Sequence, residues 1–234
     1  MKVKTPKAFI FDFDGVLTRA EKKYSANLMA WIEEAKRYGV SMDVRVFYIN
    51  EGSAHKVAEA LIKRYHLKGV SEEQLVREKT EIASNLVNRT PNKLYPQVEN
   101  ILRYLHSKNI KLAIATGADR NTVEKSIPPD LFELFDYDAT VTADDKIDGR
   151  KIKGKPDPEQ YQIAVARLSE KFHLDPSDCW VVENSPLGIQ AAKAAGLYCL
   201  ALMTTLSRAT LKRAGADKVF ANNGTFYRYL PNII

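Results

Sequence analysis

Apolar and polar residues follow two different patterns along this chain. Near the start and throughout the second half, apolar residues form short continuous runs, which are typical of strands buried on both faces. In the stretch between about residues 20 and 90 they recur instead at helical spacing, which predicts amphipathic helices. We therefore expect strands at Ala8–Phe13, Lys111–Ala115, Ala139–Thr142, Cys179–Val182, Tyr198–Leu202 and Lys218–Phe220.

The second half of the chain alternates between predicted strands and predicted helices. The helices are expected near Val98–Lys108, Asp119–Ser126, Glu159–Phe172, Leu187–Ala195 and Arg208–Ala214. Because strand and helix alternate, the strands are expected to form a parallel sheet with helices on both faces. The predicted fold class is therefore α/β, with a Rossmann-like sheet, and the helical stretch before residue 91 stands apart from it.

The size and composition of the chain are those of an ordinary globular protein. It has 234 residues, 45% hydrophobic and 27% charged, enough for one core with a smaller domain. No apolar run approaches the ~18 residues of a membrane span, and the N-terminus lacks a signal-peptide pattern. Cys179 and Cys199 lie in strand-like runs, which indicates core positions in a cytoplasmic protein rather than a disulfide.

The net charge of +6 would help to attract an anionic substrate. A basic chain could also bind nucleic acid, but no basic stripe interleaved with aromatic residues and no nucleic-acid motif is present. Neither nucleic acid nor a membrane is therefore an expected partner. The densest basic run, residues 146–155, also contains an aspartate and two glycines, so we expect a solvated loop there.

Two aspartates follow the first predicted strand. Asp12 and Asp14 are alternate residues of an extended segment, so their side chains point in the same direction. Carboxylates that share a small volume repel each other, unless a cation neutralises them or one keeps its proton and acts as an acid. The alternative is a strand end with two solvated acids and a turn glycine.

Three further polar groups follow apolar runs or begin helical patterns. Thr116 and Gly117 end the strand predicted at Lys111–Ala115, and Lys155 stands in a proline-rich turn before a helix. Glu183 and Asn184 end the strand predicted at Cys179–Val182 and precede a small-residue helix. The carboxyl ends of parallel strands are where open α/β sheets build their binding sites, so these groups are expected to meet Asp12 and Asp14.

These four motifs together resemble the haloacid dehalogenase superfamily of phosphotransferases, in particular the subgroup of small phosphatases, phosphonatases and β-phosphoglucomutase. Leu94–Val98 resembles that family's approach to its second motif, with Gln97 where a glycine is usual. Ala214–Phe220 resembles the last core strand and its approach. The resemblance implies an α/β core domain of residues 1–19 and 91–234, with a small inserted α-helical cap domain of residues 20–90.

The resemblance also implies catalytic roles. Asp12 would be the nucleophile that forms an aspartyl-phosphate, and Asp14 the acid that protonates the leaving oxygen and then activates water. The Thr116 hydroxyl and the Gly117 backbone would bind the phosphate, and Lys155 would bridge the phosphoryl group and the nucleophile. Asp14 argues against the dehalogenase branch of the family, which lacks this second aspartate.

A magnesium site is implied by the same resemblance. Mg²⁺ would bind Asp12, the backbone carbonyl of Asp14, and the motif-four residues Glu183 and Asn184, because an oxygen-only set suits that ion. Many members have an aspartate where this chain has Asn184, whose amide supplies an oxygen but no charge. We therefore expect a weaker metal site, or one that depends more on Glu183.

The substrate is harder to predict than the chemistry. Gly52 and Ser53 resemble the family's substrate-specificity loop in the cap, although they also fit an ordinary turn between helices. A phosphonatase would use a cap lysine to form a Schiff base, but Lys56 lies one position later than that pattern. β-Phosphoglucomutases carry Thr and His shortly after the first motif, where this chain has Ala20 and Tyr24.

The function that these residues predict is a Mg²⁺-dependent phosphatase that hydrolyses a small phosphate monoester, such as a sugar phosphate. A β-phosphoglucomutase-like isomerase is the alternative, although Ala20, Tyr24 and Arg19, where that family usually has Asp, depart from its pattern. Arg19 could meet a second anionic group of the substrate or be a linker cation. A third alternative is a catalytically weak protein that binds a phosphorylated ligand, which only Asn184 favours. The expected partner is a small phosphorylated metabolite, and the expected state is a monomer or a small homo-oligomer.

Overall fold

The computed structural model describes residues 4–19, 25–50, 53–89 and 92–234. Its centre is a parallel five-stranded sheet in the order β2-β1-β5-β6-β7. This arrangement confirms the predicted fold class. The strands are β1 (Ala8–Phe11), β2 (Lys111–Ile114), β5 (Cys179–Glu183), β6 (Tyr198–Leu202) and β7 (Lys218–Phe220), and a separate two-stranded ribbon pairs β3 (Lys146–Ile147) with β4 (Arg150–Lys151).

Helices cover both faces of the sheet, which is why the strands read as continuous apolar runs. Every residue of β1 and β5 is buried. One apolar cluster, including Phe9, Leu112 and Val182, fills one face of the sheet, and a second, including Ile10, Ala113 and Val181, fills the other. The helices are α5 (Val98–Ser107), α6 (Arg120–Ser126), α7 (Pro129–Phe132), α8 (Glu159–Phe172), α9 (Pro186–Ala194), α10 (Arg208–Arg213) and α11 (Asn223–Tyr229).

Four of the helices between β1 and β2 form a separate apolar cluster. They are α1 (Ala26–Arg37), α2 (Arg45–Asn50), α3 (Ala54–Tyr65) and α4 (Glu72–Arg89). Trp31, Phe47 and Leu61 are among the residues buried in this cluster. Residues 20–24 and 90–91, where the domain boundaries are predicted, lie outside the described residues. We refer to α1–α4 below as the cap helices.

The strand predicted at Ala139–Thr142 is wrong. Val141 alone bridges to Ala115 at the edge of the sheet, through hydrogen bonds from Val141 N to Ile114 O and from Thr116 N to Val141 O. The flanking Thr140 hydroxyl donates instead to the Asp136 carbonyl, at 2.9 Å. Local side-chain bonds of this kind compete with a strand ladder.

The loop predicted for residues 146–155 is wrong in its first half. Residues 146–151 form the antiparallel ribbon of β3 and β4, with Asp148 and Gly149 at positive φ in its turn. An Asp-Gly pair is a strong signal for a tight hairpin turn, and the high charge of the flanking residues obscured it. This ribbon is called the basic hairpin below.

The position of Gln97 has a backbone reason to favour glycine. Its φ is +72°, in the left-handed region, immediately before α5. A side chain in that conformation costs roughly 1 kcal/mol, and glycine avoids the cost. Gln97 therefore occupies this position with local backbone strain that a glycine would avoid.

Both cysteines occupy core positions, as predicted. Cys179 and Cys199 are buried in β5 and β6, and each is a free thiol. Burial raises the pKa of Cys179 to about 12, which keeps this thiol protonated and unreactive. In the part of the chain that the structure describes, no helix is both long and apolar enough to span a membrane.

Candidate active site

The predicted motifs meet because β1 lies between β2 and β5. Phe11, the last residue of β1, pairs with Ile114 on one side and with Val182 on the other. Asp12 continues past this point, and its backbone N–H donates to the Val182 carbonyl at 2.9 Å. The residues that follow β1, β2 and β5 therefore emerge at the same edge of the sheet, where α/β folds place their sites.

Lys155 lies at the centre of this cluster and is fully buried. Its Nζ donates to Asp12 Oδ1 at 2.5 Å and to Glu183 Oε1 at 2.7 Å. Burial alone would lower the pKa of Lys155, but the two carboxylates hold it above its ordinary value. The lysine is therefore a fixed cation in contact with the predicted nucleophile.

Both side-chain oxygens of Glu183 accept hydrogen bonds, and one of them binds Lys155. Oε1 accepts from Lys155 and from the Tyr161 hydroxyl at 2.8 Å. Oε2 accepts from the backbone N–H of Asn184 and from the backbone N–H and hydroxyl of Ser185, at 2.8 to 3.1 Å. Burial would raise the pKa of Glu183, but Lys155 and these donors lower it, so the side chain stays ionised.

Gly188 makes room for this carboxylate. A Cβ atom at Gly188 would lie 1.7 Å from Glu183 Oε1, closer than any side chain permits. The glycine in the first turn of α9 is thus required by the buried Glu183, which accounts for its place in the motif-four pattern.

Asp12 and Asp14 are both buried, with 5% of each residue exposed. Burial raises the pKa of Asp12 to about 7, although Lys155 opposes the shift. Burial also raises the pKa of Asp14. Asp14 Oδ1 accepts from the Thr18 hydroxyl at 3.0 Å, and Oδ2 from the side chain of Asn27 at 3.2 Å. A carboxyl that holds its proton more strongly is suited to donate it to a leaving group.

Thr116 and Gly117 follow β2 and line the same pocket as the two aspartates. Thr116 is buried, and its hydroxyl oxygen accepts from the backbone N–H of Ala118 at 3.0 Å. Its carbonyl accepts from the side chain of Gln160 at 2.9 Å. The strand end is thereby held rigidly, with the Thr116 hydroxyl hydrogen still available as a donor to an anion.

Asn184 packs against the turn that follows Asp14. A Cβ atom at Gly15 would lie 2.0 Å from Asn184 Nδ2, so only glycine allows this contact. That nitrogen donates to the Thr205 hydroxyl at 3.2 Å. The Asn184 amide is thereby placed beside Gly15, the residue after Asp14, where an oxygen ligand could complete a site for a hard cation.

The oxygen atoms that could bind a metal ion here carry little negative charge. Among the described residues, no three His, Cys, Asp or Glu side chains form a group that could hold a metal ion. Asp12, the Asp14 carbonyl and the Asn184 side-chain oxygen still fit a divalent cation chemically, with one carboxylate among them. Glu183 lies nearby, but its oxygens already accept five hydrogen bonds.

The cap helices close the pocket from the opposite side. Trp31, Phe47 and Val57 line it together with Ser53, and the Ser53 hydroxyl accepts from the Lys56 backbone N–H at 3.3 Å as the N-cap of α3. Gly52, the other predicted loop residue, lies outside the described residues. The Lys56 ammonium pairs with Glu59 at 2.7 Å.

Lys79 of α4 is a pocket residue that the sequence analysis missed. Only 7% of it is exposed, its Nζ lies 5.6 Å from the centre of the Trp31 ring, and it lines the same pocket as Asp12 and Asp14. Burial lowers its pKa to about 8, although Asp14 and Asp119 oppose the shift. Within the described part of the chain, Nζ has no hydrogen-bond or salt-bridge partner.

A sequence signal for Lys79 did exist. Leu75, Ile82 and Ala83 are buried and share one face of α4 with Lys79 at helical spacing. A lone lysine within an apolar stripe is either a paired core residue or a ligand contact, and here the pocket provides the reason for it.

Comparisons with known proteins agree with this geometry. The family model for haloacid dehalogenase-like hydrolases matches residues 6–196. The validoxylamine A 7'-phosphate phosphatase of Streptomyces hygroscopicus is 32% identical, over 89% of this chain and 91% of its own. The phosphorylated carbohydrates phosphatase of Thermotoga maritima is 31% identical, over 82% of each chain.

The fold is also found among solved structures. The β-phosphoglucomutase of Clostridium difficile superposes with a TM-score of 0.73 at 23% identity, over 97% of this chain and 96% of its own, a likeness of fold. With the family model spanning most of the sequence and all four motifs meeting at one sheet edge, the chain belongs to the haloacid dehalogenase-like hydrolases, and its relatives above 30% identity include named phosphatases.

Proposed function

We propose that this protein is a phosphatase that hydrolyses a phosphate monoester of a small polar metabolite, such as a sugar phosphate. The observation that carries the proposal is the buried pair of Asp12 and Lys155 beside Asp14, in a pocket covered by the cap helices. By their names, the Thermotoga maritima relative acts on phosphorylated carbohydrates and the Streptomyces hygroscopicus relative on validoxylamine A 7'-phosphate, which supports a small phosphorylated metabolite as substrate.

The reaction follows from the positions of the two aspartates. Asp12 Oδ2, which no donor among the described residues reaches, attacks phosphorus while the bond from phosphorus to the leaving oxygen breaks. Asp14 donates its proton to that oxygen, and the phosphoryl group is then held on Asp12. In the second step Asp14 takes a proton from water, the water oxygen attacks phosphorus, and the bond to Asp12 breaks, which releases phosphate.

Other residues hold the transferring group in place. Lys155, the Thr116 hydroxyl and the Gly117 backbone N–H would neutralise and orient its oxygens. Positioning and charge neutralisation provide most of the catalysis in phosphoryl transfer. Glu183 acts at one remove in this proposal, because it fixes the position of the Lys155 ammonium.

We propose Mg²⁺ as the metal, held by Asp12, the Asp14 carbonyl and the Asn184 side-chain oxygen. When bound, it would neutralise phosphate charge and favour the ionised form of Asp12. Glu183 is assigned to anchoring Lys155 rather than to binding the metal, because its oxygens already accept hydrogen bonds. Only one formal negative charge among the protein ligands predicts weak metal binding.

Asn184→Asp is expected to raise the apparent affinity for Mg²⁺ by about tenfold or more, because it adds a carboxylate to the ligand set. The metal dissociation constant would be measured by titration calorimetry and, independently, by the metal-dependent shift of the melting temperature. Asn100→Asp on the exposed side of α5 makes the same charge change away from the site. Equal metal affinity in Asn184→Asp and wild type would remove Asn184 from the ligand set.

Lys79 is proposed to contact the leaving group through its ammonium, which has the Trp31 ring as a neighbour but no carboxylate partner among the described residues. Lys79→Met keeps the apolar stem against Trp31 and is expected to lower kcat/KM by about 10- to 100-fold, mainly by raising KM, since a charge-assisted hydrogen bond contributes about 1.5–3 kcal/mol. Lys63→Met on the exposed face of α3 is the matched control. A steady-state KM unchanged in Lys79→Met would show that the lysine is structural.

The function itself is tested by phosphate release from an aryl phosphate and a panel of sugar phosphates, with Mg²⁺ and with a chelator. Phosphate release that requires the metal and differs in rate between the sugar phosphates supports the phosphatase. A mutase would instead isomerise β-glucose 1-phosphate, when primed with a bisphosphate, and release little phosphate. Binding of these compounds without either reaction would indicate the ligand-binding alternative.

A further inference from the structure

The catalytic pocket opens into a second, larger cleft between the cap helices and the core. Its volume is about 720 Å³, and Ser53, Ala54 and Gly117 line both spaces. Lys155 also lines the cleft, so a leaving group bound at the phosphoryl site can extend into it. What lines the outer part of the cleft therefore bears on which leaving groups are accepted.

The basic hairpin forms part of this outer wall. Lys146 and Lys151 both line the cleft and are directly opposite each other in the antiparallel register of β3 and β4. Opposite residues of such a pair lie on the same face, with Cβ atoms roughly 5 Å apart. On the other face, Ile147 packs against the core and Arg150 forms a salt bridge with Glu159, which anchors the hairpin.

Two lysines in this arrangement repel each other. Like charges directly across a strand pair destabilise it. Within the described residues neither Lys146 nor Lys151 has a salt bridge, whereas their neighbours Lys153 and Arg150 pair with Asp157 and Glu159. The hairpin thus presents two adjacent, unneutralised ammonium groups to a cleft that leads to the phosphoryl site.

Four acidic residues line the same cleft, and none of them forms a salt bridge with this pair. Glu59 pairs with Lys56 at 2.7 Å, and Glu72 lies 4.0 Å from His55. Asp119 caps α6, and its oxygens accept from the backbone and hydroxyl of Thr122. Asp144 accepts from the backbone of Arg120 and the hydroxyl of Thr142. Asp119 and Asp144 hold the loops after β2 and around Val141. Lys56 and Lys153 also line the cleft, but they pair with Glu59 and Asp157, whereas Lys146 and Lys151 have no carboxylate partner among the described residues.

We propose that Lys146 and Lys151 bind a second anionic group of the substrate, so that the preferred substrates are phosphate monoesters whose leaving group carries another phosphate or a carboxylate. This inference rests on the proposed function for the position of the first phosphate. It adds a specificity site, formed by the basic hairpin, that is separate from the catalytic residues and from Lys79.

Binding to a protein that cannot turn over tests the lysine pair directly. In the Asp12→Asn background, calorimetry would compare fructose 1-phosphate with fructose 1,6-bisphosphate, which differ by one phosphate. We expect the bisphosphate to bind at least about tenfold more tightly, and Lys146→Gln/Lys151→Gln to remove most of that advantage while fructose 1-phosphate binding changes less than about twofold. Lys63→Gln/Lys68→Gln, two exposed lysines outside the cleft, carries the same charge change.

The outcomes distinguish binding by the lysine pair from long-range electrostatic attraction, and a failure of this site from a failure of the proposed function. If both double variants lose the bisphosphate's affinity advantage equally, the advantage comes from long-range electrostatics and the proposed site is overturned. Equal affinity of the unsubstituted hairpin for the two sugars would overturn it as well. In the active enzyme, kcat/KM should favour fructose 1,6-bisphosphate over fructose 1-phosphate by the same factor as the binding affinity does. If wild type releases phosphate from neither sugar while the bisphosphate still binds through the lysines, the phosphatase proposal fails and the anion site stands.

Discussion

Asp12→Asn is expected to lower kcat for phosphate release by at least about 10³-fold, whichever substrate is used. The amide is nearly the same size as the carboxylate and can still accept from Lys155, but its oxygen is a poor nucleophile towards phosphorus. Asp12 is the residue through which the phosphoryl group would pass, so no neighbouring acid replaces it. Asp14 is directed towards Thr18 and Asn27 instead.

The comparison must separate chemistry from folding. Asp12→Asn should bind its substrate and keep a melting temperature close to that of wild type, because Lys155 retains Glu183 as a buried partner at 2.7 Å. Asp138→Asn makes the same change at an exposed carboxylate and is expected to leave kcat within about twofold. Substantial phosphate release by folded Asp12→Asn would contradict the assignment of the nucleophile.

Lys155→Met is expected to damage both stability and activity. It removes the cation that pairs with Asp12 and Glu183, and the two buried carboxylates then face each other without compensation. Breaking a buried pair in this way typically costs about 3–5 kcal/mol. Activity should also fall by at least about 10²-fold, since the fixed positive charge at the phosphoryl group is lost.

The stability loss in Lys155→Met should depend on pH. Without the lysine, burial raises the pKa of both carboxyls above their unfolded values, so the folded state binds the extra protons. Such groups stabilise the fold at low pH, and this contribution is lost as pH rises through the folded pKa. The difference from wild type in the free energy of unfolding should therefore be small near about pH 5 and large near about pH 8.

Urea denaturation at both pH values measures this difference. Lys153→Met, an exposed lysine two residues away, is the matched control and should unfold like wild type at either pH. A Lys155→Met protein as stable as wild type at about pH 8 would show that the buried triad of Asp12, Lys155 and Glu183 does not hold the core together.

Much of the fold could be predicted from the sequence because its strands are buried on both faces. Tyr198–Leu202 and Lys218–Phe220 have the predicted bounds, and α8 begins and ends where its apolar spacing predicts. The meeting of Asp12, Thr116 and Glu183 was also predictable, since parallel strands deliver the residues that follow them to one sheet edge. The chemical roles of these residues remain predictions.

The parts of the site that could not be predicted depend on contacts between segments that are distant in the sequence. The Nζ of Lys155 meets Asp12 across 143 positions of sequence, and its distances to two carboxylates cannot be read from spacing. The hydrogen bonds that Glu183 accepts from the Asn184 backbone N–H and the Tyr161 hydroxyl become visible only in three dimensions, and they are the reason for proposing that Glu183 anchors Lys155. Lys79 was passed over because one lysine in an amphipathic helix is ordinarily solvated, and only the docking of α4 buries it.

The most direct test of the proposed chemistry is to trap the covalent intermediate. Wild-type protein would be mixed with an aryl phosphate and Mg²⁺, quenched rapidly in denaturant, and analysed by intact mass and peptide mapping. We expect the mass of one phosphoryl group on the peptide that contains Asp12, and no such adduct in Asp12→Asn. Phosphate release by the wild type with no adduct at any quench time, or with the phosphoryl group on another residue, would contradict it.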